Sequence, residues 1–72
     1  MPLMDVRRVY VVQDRDSGAF VDVNMTWVNS LRAAVRVDDK DLCYECMRNS
    51  IEDGIIECRD GYDVIELLEP VR

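Results

Sequence analysis

The sharpest chemical signal in the chain is Cys43-Tyr44-Glu45-Cys46, with Cys58 further on. Thiolates are good zinc ligands, and a two-residue gap is a familiar spacing for a ligand pair. Against a zinc site, the second pair is incomplete and the sequence holds no histidine. Cys43 and Cys46 also fall on a predicted helix stripe, where a buried cysteine packs as a small hydrophobe. A redox CxxC normally opens a helix after a strand, where the dipole lowers the thiol pKa. Here the pair lies a turn further in. The expectation is a metal-free, cofactor-free domain, with Cys43, Cys46 and Cys58 left as the only metal candidates.

Asp14-x-Asp16-x-Gly18 has the opening of a calcium loop without its remaining ligands or its distal glutamate. A hairpin turn explains the same residues. Paired carboxylates are plentiful, but none has a recognisable partner base or nucleophile. Without histidine there is no side chain suited to acid–base work near neutral pH, and no Gly-rich phosphate loop follows a strand. The chain is therefore expected not to be an enzyme.

The carboxylates are unevenly placed. Residues 1–37 carry five bases and four acids, 5 − 4 = +1, whereas residues 38–72 carry four bases and eleven acids, 4 − 11 = −7, which together give the formal −6. A surface this acidic repels phosphates, so direct nucleic-acid binding by the second half is not expected. It suits a basic protein surface, with faster encounter as the benefit.

The elements that must position these groups can be read in outline. Residues 6–13 and 19–25 are rich in β-branched side chains and flank the turn cluster Asp14-Arg15-Asp16-Ser17-Gly18, so a hairpin is predicted. Closing a five-residue loop opposes Gln13 to Ala19, Val11 to Val21 and Val9 to Val23. Val9, Val11, Val21, Val23 and Met25 then share a buried face. Tyr10, Val12 and Phe20 fall on the other face as an apolar cluster that needs a cover or a partner. Residues 26–37 admit either a strand or a helical turn opened by Thr26, followed by an extended Val35-Arg36-Val37; the second keeps Arg36 off the core face. A helix is predicted over 39–53, with Asp38 as N-cap and Gly54 as the left-handed residue that ends it. Its apolar stripe is Leu42, Cys43, Cys46, Met47, Ser50 and Ile51. Glu52 and Asp53 oppose the negative end of its dipole, so its last turn is expected to fray. Residues 55–58 and 62–68, around Arg59-Asp60-Gly61, suggest a second hairpin.

The whole is one small α+β domain, an antiparallel sheet packed on one amphipathic helix, in the order β-β-(short turn or strand)-α-β with a possible extra short strand. Its 72 residues leave no room for a second core. No apolar run is long enough to cross a membrane, and the first residues lack the features of a signal peptide. A cytoplasmic protein with reduced thiols is expected.

The hairpin around residues 14–18, the run Leu31-x-x-Ala34-x-x-Val37-Asp38-Asp39, the amphipathic helix and Val64-Ile65-Glu66-Leu67 together resemble the small hairpin–helix–strand proteins encoded by phages and prophages. The resemblance covers most of the chain. It departs at Val37, where those proteins often have an aromatic residue, and at Cys43, where they often have alanine. It transfers no catalytic or ligand residue. Some of those proteins inhibit host defence or host enzymes. The resemblance thus implies a non-enzymatic inhibitor or adaptor docking on a host protein, in the anti-CRISPR style or as an acidic nucleic-acid mimic. The residues expected at such an interface are Asp41, Glu45 and Glu52 on the helix, or Tyr10, Val12 and Phe20 on the sheet. The alternatives are a structural or regulatory homodimer that buries the Tyr10/Val12/Phe20 face against itself, and a zinc-stabilised mini-domain.

Overall fold

Val6–Asp14, a run dominated by β-branched side chains, forms the long central strand β1 in the computed structural model, which describes residues 5–70. The other elements are β2 (Phe20–Val21), β3 (Trp27–Val28), a 3₁₀ turn (Leu31–Ala33), α1 (Lys40–Glu52) and β4 (Tyr62–Pro70). The sheet is antiparallel with strand order β3-β2-β1-β4. The fold is the expected α+β domain, one helix on a four-stranded sheet that begins with a hairpin.

The hairpin register is shifted by one residue from the predicted pairing: Gln13 faces Phe20, not Ala19. The cause lies at the turn. The Gly18 N–H donates to the Asp14 carbonyl at 2.9 Å, and the Asp14 N–H to the Ala19 carbonyl at 2.8 Å. Gly18 and Ala19 thus both oppose Asp14, a bulge that needs a left-handed residue at its first position, and Gly18 has φ 78°. One extra residue on one strand reverses the parity of everything beyond it. Val21 therefore joins Val12, Cys43, Met47 and Ile56 in the core beneath the helix, while Val9 and Val11 face the other way and are, as expected, fully buried there. Val23, expected to be buried, is 76% exposed. Gly18→Ala is expected to cost about 1 kcal/mol in chemical denaturation, since alanine must adopt the left-handed conformation there. An unchanged midpoint would argue against the bulge.

Beyond Val21, β2 leaves β1, and residues 35–37 take its place. The Val35 N–H donates to the Val21 carbonyl at 2.9 Å, and Tyr10 and Val37 exchange N–H···O bonds of 2.8 and 3.0 Å. The segment 26–37 is thus a short strand, a 3₁₀ turn and an extended stretch, so both predicted readings are partly realised. The turn, capped by Ser30, sits four residues later than a helix opened by Thr26. By alternation Arg36 lies on the helix-free face with Val9 and Val11, and it is well satisfied there. Its guanidinium pairs with Glu69 at 3.0 Å and donates to the carbonyls of Leu31 and Ala34 at 2.6 and 2.7 Å. Since β1 lies between residues 35–37 and β4, this pair spans β1 on that face and holds the 3₁₀ turn to it.

The helix begins one residue later than predicted. Asp39, not Asp38, is the N-cap, and its carboxylate accepts from the Asp41 N–H at 2.9 Å. At the far end the Gly54 N–H donates to the Ile51 carbonyl at 3.1 Å and the Ile55 N–H to that of Ser50 at 2.9 Å. These are the two bonds of a Schellman closure around Gly54, φ 74°. They satisfy carbonyls that the unfavourable Glu52 and Asp53 would otherwise leave to fray. The buried stripe is narrower than predicted: Cys43, Met47 and Ser50 alone. Cys46 is exposed, as are Leu42 and Ile51. Residues 55–58 form no strand; Ile56 plugs the core and the Gly61 N–H closes a turn onto the Cys58 carbonyl at 3.3 Å. β4 pairs instead with β1 along all nine residues.

Candidate functional site

The predicted apolar cluster is taken apart by the register. Val12 is 5% exposed in the core and Tyr10 packs against that core, whereas Phe20 lies half-buried on the helix-free face. No surface offers Tyr10, Val12 and Phe20 together. The self-complementary face assumed for a homodimer is therefore not formed by these three residues. Trp27 is half-buried against the core, and its indole N–H donates to the Glu57 carbonyl at 2.8 Å, anchoring the chain after the helix.

The three thiols are free and differently placed: Cys43 is buried, Cys58 half-buried and Cys46 exposed. Burial pushes the Cys43 thiol above its usual range, helped by Cys46 and Asp39, and burial likewise pushes Cys58 up. Both shifts disfavour the thiolate that metal binding or nucleophilic attack requires. Among the described residues, no three cysteine, aspartate, glutamate or histidine side chains converge as a metal-binding group. Among the described residues no helix is long and apolar enough to cross a membrane.

The turn carboxylates are held for local structure. Asp14 accepts from the Ser17 hydroxyl at 2.7 Å and the Ser17 N–H at 3.1 Å, and these bonds hold its pKa below the ordinary carboxylate value. Asp22 accepts from the Thr26 N–H at 3.0 Å and the Thr26 hydroxyl at 2.9 Å, with the same direction of shift. A depressed folded-state pKa gives stability that is present above the unfolded value, roughly 3.9, and is lost as pH falls through the folded value. Thermal midpoints should therefore drop below about pH 4, and Asp14→Asn with Asp22→Asn should flatten that drop. An identical acid profile for wild type and double variant would refute this role.

The arginines decide where the remaining charge acts. Among the described residues there are three ion pairs, and each joins an arginine to a β4 carboxylate: Arg8 to Glu66 at 3.5 Å, Arg15 to Asp63 at 2.9 Å and Arg36 to Glu69 at 3.0 Å. All three β4 acids are thus matched within the sheet. Residues 38–60 hold eight acids and three bases, 3 − 8 = −5 of the total −6, and none of these acids is in an ion pair among the described residues. On α1 the buried side chains are Cys43, Met47 and Ser50. At 100° per residue, Asp41, Glu45 and Glu52 fall on the opposite side of the helix. All three are exposed. They form one acidic ridge, interrupted by exposed Arg48 between Glu45 and Glu52, with exposed Leu42 on one flank and exposed Tyr44 and Ile51 on the other. The sequence placed these three acids correctly toward solvent. It did not show that the sheet's acids are neutralised by arginines distant in the chain.

Comparison with protein-family models, with curated proteins and with solved structures found no match to this chain.

Proposed function

We propose that the chain is a non-enzymatic binding protein that docks its acidic helix ridge on a basic protein surface. It would act as an inhibitor or adaptor of the kind that the phage-protein resemblance implies. The observation that carries this reading is the segregation of charge. The β4 acids are paired with arginines, so the field outside the molecule comes mainly from residues 38–60. Three exposed acids against the single Arg48 on this helix face attract a basic partner over roughly a Debye length, about 8 Å at physiological ionic strength. Leu42, Tyr44 and Ile51 beside the ridge supply apolar area for the contact itself, with tyrosine a frequent interface anchor.

The test is capture from host lysate with immobilised wild type and with Glu45→Lys/Glu52→Lys, at low and at high salt. A basic protein retained by wild type, released by salt and absent from the variant supports the reading. Equal retention by both baits contradicts it.

A further inference from the structure

β4 is a nine-residue strand at the margin of the sheet, and its outer side carries no strand among the described residues. The direction of its free backbone groups follows from β1. The N–H groups of Tyr10 and Asp14 point away from β4, to Val37 and Ala19. The odd-numbered residues of β1 therefore bond to β4, through Val9↔Leu67, Val11↔Ile65 and Gln13↔Asp63. The even-numbered residues of β4 then point outward: Val64, Glu66 and Leu68 each present a free N–H and C=O, and Pro70 a C=O alone. Long bare edges of this kind are templates for another strand. On the helix side the Tyr44 ring meets the Tyr62 ring, centroids 6.1 Å apart, forming an aromatic wall beside the edge.

We infer that this edge takes up an extended, basic segment of the partner as a fifth strand. The inference rests on the acidic-binder reading and names a mode of contact for it. The occupant follows from charge. β4 carries Asp63, Glu66 and Glu69 and no base. A second copy laid antiparallel along its full length would set Glu66 against its own counterpart and Asp63 against Glu69. Like charges directly opposite are destabilising, so self-pairing in the register with most hydrogen bonds is disfavoured. A strand with lysine or arginine at every third position meets Asp63 and Glu66, while Glu69 stays with Arg36 in a pair only 24%/29% exposed. The arginines already there do not prevent this: the Arg8–Glu66 and Arg15–Asp63 side chains are 62%/51% and 57%/51% exposed, so those pairs are well screened and keep oxygens free.

The probe is a fluorescein-labelled nine-residue peptide with lysine at every third position and valine and threonine between, titrated with the full chain by fluorescence polarisation. Two versions are N-methylated on alternate amides, one set each. Strand pairing predicts that one set weakens binding about tenfold or more, since several backbone bonds are lost, and that the other set has little effect. Leu68→Pro removes an outward N–H while leaving the β1–β4 bonds intact, and it should weaken binding similarly with the fold retained by circular dichroism. If that variant does not fold, the N-methyl series on the wild-type chain still decides. Equal binding by both N-methylated sets, or no binding of the unmodified peptide, overturns the inference. Self-association of the wild type that Leu68→Pro abolishes would assign the edge to a second copy and overturn it too. Should the peptide fail while association with the physiological partner stays salt-sensitive and ridge-dependent, the edge is wrong and the acidic-binder reading stands.

Discussion

Met47→Ala is expected to lower the unfolding free energy by about 2–5 kcal/mol, the range for truncating a buried large side chain. Met47 is 1% exposed and sits where Val12, Val21, Cys43 and Ile56 meet. A domain of 72 residues has a total stability of roughly 4–11 kcal/mol, so this one change consumes much of the margin and in the low range leaves the chain largely unfolded. Leu42→Ala and Ile51→Ala should cost much less, within about 1 kcal/mol, because these side chains are 47% and 40% exposed. Urea unfolding of the three variants measures all of this. Comparable losses at Met47, Leu42 and Ile51 would restore the broad stripe read from the sequence and contradict the observed docking of the helix.

That narrow stripe shows where local pattern stops being informative. Periodicity located the helix, and Gly54 marked its end, because both are decided within a turn or two of chain. Which of Leu42, Cys46 and Ile51 is buried depends on how wide a sheet lies beneath, and here only Cys43, Met47 and Ser50 are covered. The turn at 14–18 was legible and its register was not. Asp-x-Asp-Ser-Gly signals a turn, but only the hydrogen bonds at Asp14 reveal that Gly18 is a bulge residue. That one residue moved Val12 into the core and separated it from Phe20. The pairing of β4 with β1 closes a loop of nearly fifty residues, and no local signal along the chain specifies it. Arg36 looked unfit for a core face because its partner Glu69 is 33 residues away in sequence.

The acidic ridge carries the second large effect. Reversing Glu45 and Glu52 to lysine changes the chain's charge by four units on one exposed helix face, from −6 to −2. Electrostatic steering raises association rates by about 10–10³-fold, so the double variant should associate with the partner at least about tenfold more slowly at low ionic strength. Its thermal stability should stay within about 0.5 kcal/mol of wild type, since exposed charges contribute little to folding. Dissociation should change far less than association, as expected for charges that guide encounter. Phe20→Ala is the contrasting variant. Phe20 lies on the helix-free face with the neighbouring Val9 and Val11, so its loss should leave association near wild type if the ridge is the docking surface.

The most direct test is the association rate constant for the captured partner, measured by stopped flow for wild type, Glu45→Lys/Glu52→Lys and Phe20→Ala at low and at high salt. The ridge account predicts a fast, salt-sensitive rate for wild type and Phe20→Ala. It predicts a slow, nearly salt-independent rate for the charge reversal. If the reversal associates as fast as wild type at every salt concentration while Phe20→Ala abolishes binding, the helix ridge is not the docking surface and the helix-free face of the sheet is.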